Sequence, residues 1–394
     1  MKRIAADYIY TLEGVEPLNN AFVEVEDDGT VIRTGICDDI SKEENYYKGT
    51  IIPGFVNSHC HIELSHLLGK FVKGSGMAGF IDQINALRDW ADDQTKSALV
   101  EKWLKIMWDR GVSAMADISN DSSSFAPKAA SPMYTRTFLE VFGSEPEMCA
   151  DVMSDVTALN AKADEYGLDA APTPHSCYTM SPELLSASAK AGLDRGYISY
   201  HSQESPEEEE LIISGSGPMY ENRKRSGMSV PPVLGKPSLF YFIERLKAIH
   251  PLPINEKVLL VHNVCLTQEA VDAAKEAMTD VYWALCPLSN IFIHNALPPV
   301  ELMRKNNLKI TIGTDSLSSN DDLDMLAEVL CLKRHFSSVP MGEILTWACK
   351  NGADFLGKSD ELGQIIPGKK PGIVLLKGVS AEESDEKCTS VRLI

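Results

Sequence analysis

Two histidines one residue apart, His59 and His61, close a short apolar run in the segment Asn57-Ser58-His59-Cys60-His61. In an extended strand, residues two apart face the same way, so both imidazoles can converge on one ion. Such a pair taken alone is structural about as often as it is functional. His201, His262 and Asp315 each end a different apolar run. A lone strand histidine is usually a satisfied core residue; a strand-end aspartate together with histidines ending several strands points instead to a divalent metal site. In a barrel of parallel strands, that end is where active sites are built.

Eight runs have the length and composition of strands: Ile51 to Ser58, Val112 to Ser119, Met133 to Phe142, Leu168 to His175, Tyr197 to Gln203, Lys257 to Val264, Val281 to Pro287 and Lys309 to Thr314. Helix-compatible or loop segments alternate with them, for example Pro182 to Arg195, Gln268 to Met278 and Leu323 to Phe336. The alternation predicts an α/β chain of parallel βα units, and eight of them suit a closed TIM-type (β/α)8 barrel better than an open sheet. Residues 51–362 are assigned to this barrel.

Residues 1–50 instead show short strand-like runs broken by turn signals such as Glu26-Asp27-Asp28-Gly29, and residues 363–394 repeat that character. Both ends are expected to build one small β-sandwich domain. Two segments break the barrel rhythm. Gly74 to Gly79 holds three glycines and is expected to be a mobile loop; residues 206–237 are long enough to form a lid. The acidic run Glu207 to Glu210 within it reads as a solvated helix start.

A chain of 394 residues supports a large domain with an appendage, and a formal net charge of −19 repels phosphate backbones and anionic lipid surfaces. Nucleic acid is therefore not expected as a partner. No window approaches a membrane span, and the opening MKRIAADYIYTLEG lacks the pattern of a secretory signal. Nine cysteines, with no Cys-x-x-Cys pair, suit reduced core thiols. A cytoplasmic protein acting on a small molecule is the expectation.

The run Ile52-Pro53-Gly54-Phe55-Val56-Asn57-Ser58-His59-Cys60-His61 resembles the first-strand signature of the amidohydrolase superfamily, in the branch of cytosine, adenosylhomocysteine and aminodeoxyfutalosine deaminases and triazine chlorohydrolases. Gly313-Thr314-Asp315 resembles its eighth-strand signature, Pro174-His175-Ser176-Cys177-Tyr178-Thr179 its fourth-strand segment and Cys286-Pro287-Leu288-Ser289-Asn290 its seventh. The fourth strand carries no lysine that could be carboxylated to bridge two metals, so the resemblance implies one ion, held by His59, His61, His201 and Asp315. His201-Ser202-Gln203-Glu204 is similar to the His-x-x-Glu element in which deaminases keep a proton-shuttling glutamate.

A divalent ion held this way, with a position open for water, lowers that water's pKa toward about 7. Glu204 is assigned to protonating a ring nitrogen, Asp315 to accepting the water proton, and His262 to hydrogen-bonding the attacking oxygen. Zinc is the expected ion, and iron(II) suits the same donors. His175 is a candidate for contact with a purine-type ring or for a supporting role. Arg136 could pair with a substrate carboxylate or equally form a salt bridge within the barrel. Glu63 could accept ribose hydroxyls or orient His59 or His61. His250, His294 and His335 lie off the strand ends and are read as structural.

Ile62-Glu63-Leu64-Ser65-His66 is similar to the His-Leu-Glu-Phe/Leu-Ser form of aminodeoxyfutalosine deaminase-like proteins. The resemblance therefore implies a deaminase of an adenosine-type nucleoside that releases ammonia, with a chlorohydrolase or another C–N hydrolase, such as a guanine or cytosine deaminase, as the alternative. A non-catalytic scaffold would have lost metal ligands, and all are present. Barrel hydrolases of this kind are often homodimers.

Overall fold

Short β-favouring runs from both ends of the chain pair with one another in a single sheet. The computed structural model describes residues 1–380 and 384–394; residues 381–383 of the expected terminal domain lie outside the described residues. Strands β1 (Lys2–Ile9), β2 (Leu18–Val25), β3 (Val31–Ile36) and β4 (Tyr46–Pro53) join two strands from the other end of the chain, Ile373–Val379 and Ser384–Arg392. Together they form one six-stranded sheet in which β4 lies between β1 and Ile373–Val379. β1 and β4 run parallel, and the other neighbours are antiparallel. The Asp28-Gly29 turn leading into β3 needs a left-handed residue, and Gly29 supplies it with φ of 90°. Ile4, Ala6, Ile9, Val23, Ile51 and Ile373 pack as one apolar cluster on this sheet.

The middle of the chain forms two four-stranded parallel sheets. One contains β5 (Phe55–Cys60), β6 (Val112–Ser119), β7 (Tyr134–Val141) and β8 (Asp169–Pro174) in that order. The other contains β9 (Tyr197–Ser202), β10 (Ile254–His262), β11 (Met278–Leu285) and β12 (Lys309–Ile312). The two sheets meet at both pairs of edges. His201 N donates to His175 O at 2.9 Å between β8 and β9, and Thr314 N and Asp315 N each lie 3.0 Å from His59 O between β12 and β5. Helices separate most of the strands, and the capping residues follow from sequence: Asp92, Ser181, Ser205 and Thr267 each accept a backbone N–H in the first turn of the following helix.

Val56, Ala114, Ala116, Phe138, Leu259, Val261 and Ala284, drawn from both parallel sheets, share one buried cluster. Their strand neighbours Met115, Leu139, Leu260 and Leu285 belong to the larger cluster that includes the helices. Strands buried on both faces read as continuous apolar runs, which is why the eight were visible in sequence.

Three local expectations are corrected. The run from Ile51 to Ser58 is not one strand: Ile51 to Pro53 belong to the terminal sheet, and β5 starts after Gly54. A side chain on Gly54 would overlap Ser113 Oγ and Pro371 O, so the chain changes sheets at the one residue that fits. Gly74 to Gly79 is not a loop throughout, because a helix, Gly76–Leu87, begins inside it with Ala78 N donating to Glu207 Oε2 at 2.8 Å. The acidic run is not solvated throughout either. It forms the first turns of a helix, Pro206–Ser214, in which Glu208 is fully buried. No helix among the described residues is long and apolar enough to cross a membrane.

Candidate metal centre and active-site cleft

The ends of β5, β9 and β12 bring four donors together. His61 Nε2 lies 3.2 Å from His59 Nε2 and 3.3 Å from His201 Nε2, and Asp315 Oδ1 lies 3.8 and 3.7 Å from the His59 and His61 Nε2 atoms. Two nitrogens bound to one zinc at about 2.0–2.1 Å and a tetrahedral angle stand about 3.3–3.4 Å apart. His61 therefore already has the spacing of a fellow ligand to both His59 and His201. The carboxylate sits slightly wider.

The backbone is shaped for this convergence. Gly313 brings β12 against β5: a Cβ there would stand 2.6 Å from His59 O. Asp315 (φ 58°), His262 (φ 74°) and Gln203 (φ 49°) all adopt the left-handed conformation that bulky residues avoid, at the points where strands turn into the site. Asn57 locks the same seam from inside, accepting from Thr314 N at 3.1 Å and donating to Thr314 Oγ1 at 2.8 Å.

Supporting groups fix the outward atoms of the donors. His201 Nδ1 is 3.3 Å from His175 O and 3.4 Å from Glu140 Oε1, which leaves Nε2 for an ion. Glu140 thus stands behind His201. Ser289 Oγ and Ser319 Oγ donate to Asp315 Oδ2 at 2.6 and 3.0 Å, leaving Oδ1 toward the imidazoles. Burial opposes charge on Asp315, but the His61, His262 and His59 rings and the Ser289 hydroxyl outweigh it and hold the carboxyl at about 2. Burial lowers the basicity of His59, His61 and His201, keeping the lone pairs available near neutral pH.

Glu204 and His262 stand beside this cluster. His262 Nε2 is 3.4 Å from Glu204 Oε1 and has no hydrogen-bond partner among the described residues, while Asn290 Nδ2 lies 3.1 Å from His262 Nδ1. An amide donating to Nδ1 leaves the proton on Nε2, facing the cleft. Burial takes His262 down to about 4, so the ring is neutral. Burial, with the charge of Asp315, pushes the Glu204 carboxyl well above its usual range, so it can hold a proton where an ordinary glutamate would not. The Tyr178 hydroxyl donates to Glu204 Oε2 at 3.1 Å.

The cluster opens into a cleft of about 150 Å³. Leu64, Met77, Phe80, Ile81 and Ile84 form an apolar wall, and His175 also lines the cleft, its ring 4.5 Å from that of His201. Of the remaining sequence candidates, Glu63 and Arg136 are not brought to the cleft. The Glu63 carboxylate turns to Asn120 N (2.9 Å) and Asp121 N (3.3 Å) in an adjoining space. Arg136 lies in the first half of β7, bonded to Asp169 Oδ1 at 2.8 Å and stacked 3.7 Å over Tyr197, away from the strand ends. Glu140, Tyr178, Asn290 and Ser289 were missed. The last three stand inside the segments quoted for the fourth and seventh strands, and Glu140 is an acid at the end of an apolar strand, the signal already used for Asp315.

The amidohydrolase family profile matches residues 50–391. The adenosine deaminase of Helicobacter pylori is 24% identical over 343 residues, covering 84% of this chain and 79% of that relative. The aminodeoxyfutalosine deaminase of Nitratiruptor sp. is 27% identical over 341 residues, covering 83% and 78%. Among solved structures, aminofutalosine deaminase of H. pylori in complex with methylthio-coformycin has the same fold, with a TM-score of 0.79, 21% identity and full coverage of both chains. With the family matched over most of its length and a donor cluster of the composition such hydrolases use, this chain belongs to the amidohydrolase family.

Proposed function

We propose that this protein is a metal-dependent hydrolytic deaminase of an adenosine-type ring, releasing ammonia. The observation that carries the reading is the meeting, beside one cleft, of His59, His61 and Asp315, with His201 against His61, and a buried carboxyl and neutral imidazole 3.4 Å apart. The names of the relatives above point the same way. In this reading the two parallel sheets act as a closed (β/α)8 barrel spanning residues 54–362, supported by hydrogen bonds at both seams, and residues 1–53 with 363–394 form a separate domain.

His59, His61, His201 and Asp315 would hold one ion, and zinc suits three imidazoles and a carboxylate, with iron(II) the second choice. When bound, the ion supplies water deprotonated near neutral pH. Asp315 would take up the proton that water loses and pass it to the departing amine. Glu204 gives its proton to the ring nitrogen next to the reacting carbon, making that carbon electrophilic, and regains one from the hydroxyl added there as the carbonyl forms. His262 donates from Nε2 to the incoming oxygen, in the place where negative charge develops. Tyr178 keeps Glu204 in position, and the apolar wall receives the ring face beside His175. Water adds to the carbon, the C–N bond breaks, and ammonia leaves. A cytoplasmic location suits such a substrate, and homodimerisation is in keeping with the family.

Purified protein loaded with zinc is expected to release ammonia from an adenosine-type compound with loss of absorbance at the adenine band. Hydrolysis of chlorotriazine or amide substrates, with none of the adenosine-type compounds deaminated, would refute the reading.

A further inference from the structure

Asp315 and His262 are oriented by three side chains, Ser289 and Ser319 on Asp315 Oδ2 and Asn290 on His262 Nδ1. Ser289 and Asn290 stand on one helix, Pro287–His294, and Ser319 in the loop after β12. The start of that helix is not capped from its own sequence. Pro287 has no N–H and Cys286 before it makes no side-chain cap, so the Leu288 N–H is the first donor there in need of an acceptor. One buried carboxylate answers it and reaches the loop as well. Glu328, on the helix Met325–His335, is fully buried; its Oε2 accepts Leu288 N at 3.0 Å and its Oε1 accepts Asn320 Nδ2 at 2.8 Å.

Leu288 directly precedes Ser289, and Asn320 directly follows Ser319. The two serine hydroxyls lie 2.8 Å apart where both segments meet Asp315. Asn320 Nδ2 donates in addition to Thr314 O at 3.0 Å, the carbonyl just before Asp315. Glu328 thus holds the neighbour of each hydroxyl, the backbone leading into Asp315 and the helix that carries Asn290. Both groups that donate to it are neutral. Burial pushes its carboxyl well above the usual range, and the Leu288 N–H and the Asn320 amide work against burial by favouring the ionised form. A buried acid is costly where an amide of the same shape would fill the space. The carboxylate differs from that amide in having two accepting oxygens. Two N–H donors arriving from separate segments require both, since an amide would set its own NH2 against one of them.

We propose that Glu328 is a positioning residue: one oxygen fixes the helix that carries Ser289 and Asn290, the other fixes the loop that carries Ser319, and together they set the direction of the Asp315 carboxylate and the tautomer of His262. What this implies for turnover rests on the deaminase reading above. What it implies for metal affinity and for the imidazole does not.

The test compares wild type with Glu328→Gln, Glu328→Asp, Asn320→Ala and Val329→Ala. Val329 follows Glu328 on the same helix and is buried in the apolar core, so its truncation lowers stability without touching either contact. Urea unfolding with chelator present gives stability, and competition with a chromophoric chelator gives the zinc Kd. Nitrogen-edited NMR spectra of the metal-free protein, assigned by difference from His262→Gln, give the tautomer. Glu328→Gln is expected to weaken zinc binding by about tenfold or more and to lower kcat for ammonia release with KM little changed, as when a group behind a metal ligand is removed. It is also expected to leave His262 a mixture of Nδ1–H and Nε2–H forms. Glu328→Asp, which keeps two accepting oxygens on a shorter arm, should fall between. Asn320→Ala should weaken zinc binding and keep the tautomer, and Val329→Ala should keep both while losing stability. An unchanged zinc affinity or tautomer in Glu328→Gln, or changes in Val329→Ala as large as those in Glu328→Gln at equal loss of stability, would overturn the assignment. Should Glu328→Gln fail to fold, Asn320→Ala decides, and an unchanged zinc affinity there overturns the assignment as well. If wild type releases no ammonia from adenosine-type compounds while zinc affinity and tautomer respond as expected, the deaminase reading falls and the role of Glu328 stands.

Discussion

Lys128→Met should destabilise this protein far more than a change at an unremarkable helix position would. Lys128, on the short helix Phe125–Ala130, and Asp117, on β6, have fully buried side chains and meet at 2.7 Å. The ammonium also donates to Ser119 Oγ at 2.8 Å and Thr137 Oγ1 at 3.1 Å, so all three of its protons are used. Removing it strands a carboxylate in the core with only the Ile62 N–H (2.9 Å) and the Ser119 hydroxyl (3.2 Å) as donors. An orphaned buried charge of this kind costs about 3–5 kcal/mol. The pair itself is worth much less, because each charge lost its hydration on folding. Asp117→Asn/Lys128→Met, which keeps an acceptor for Ile62 N, should therefore recover to within about 1–2 kcal/mol of wild type.

The consequence reaches the site, because Ile62 directly follows His61. A carboxylate that rotates toward solvent releases the N–H that fixes the chain beside His61. Urea unfolding followed by circular dichroism, at fixed zinc and again with chelator, separates folding energy from the stabilisation that metal binding adds. Metal content per chain should fall in the single variant and return in the double. A loss under about 1 kcal/mol for Lys128→Met, or a double variant no more stable than the single, would refute the argument.

Glu204→Gln is expected to keep its metal and lose turnover by about a hundredfold or more, whereas His201→Ala loses the metal; elemental analysis beside ammonia release distinguishes the two. Gly313→Ala should lower both stability and metal content, by about 1–3 kcal/mol for the former in urea titrations, because its methyl would press on His59 O, N and Cβ at 2.6–2.8 Å. His294 is held by burial down to about 4. The unfolded chain takes that proton near its ordinary value of about 6.5 and the folded chain only near 4, so stability falls as pH drops through this window, by at most about 3 kcal/mol. His294→Gln should flatten that part of the unfolding free-energy curve; an unchanged slope would remove His294 as its source.

The clustering of His59, His61, His201 and Asp315 was legible because strand-end position and residue type coincide at each of them. Period-two alternation reports which face a residue takes and says nothing about its height along the strand. Arg136 shows the limit: it lies on β7 with Glu140, but four residues earlier, so it emerges by the first residue of β8, where Asp169 neutralises it. Glu140 emerges by His201, where it matters. Counting from the strand's end would have exchanged the two. Glu63 failed for another reason. The turn of 3-10 helix Ile62–Leu67 rotates it out of the direction set by His59 and His61, and no pattern in so short a segment reveals that rotation.

The four glutamates from Glu207 to Glu210 look alike in sequence, and their helix gives each a different surroundings, since successive residues are turned by about 100°. Glu207 reaches across to Ala78 N at the start of the cleft's apolar wall. Glu208 turns inward, accepting Glu204 N at 2.8 Å, Gln203 N at 3.1 Å and Ser238 Oγ at 2.6 Å. Glu209 takes Ser238 N and Gln203 Nε2. Ser238 heads the helix that follows the long 206–237 segment, so Glu208 ties that segment, the backbone turn at Gln203 and Glu204 into one hydrogen-bonded unit. A solvated helix start would need none of this, and a run of acids chosen only for charge at a helix N-terminus would tolerate exchange among its members. Here the second position alone is buried, and it alone holds the backbone of Glu204. The precision of the site therefore depends on a carboxylate that touches neither the metal donors nor the cleft.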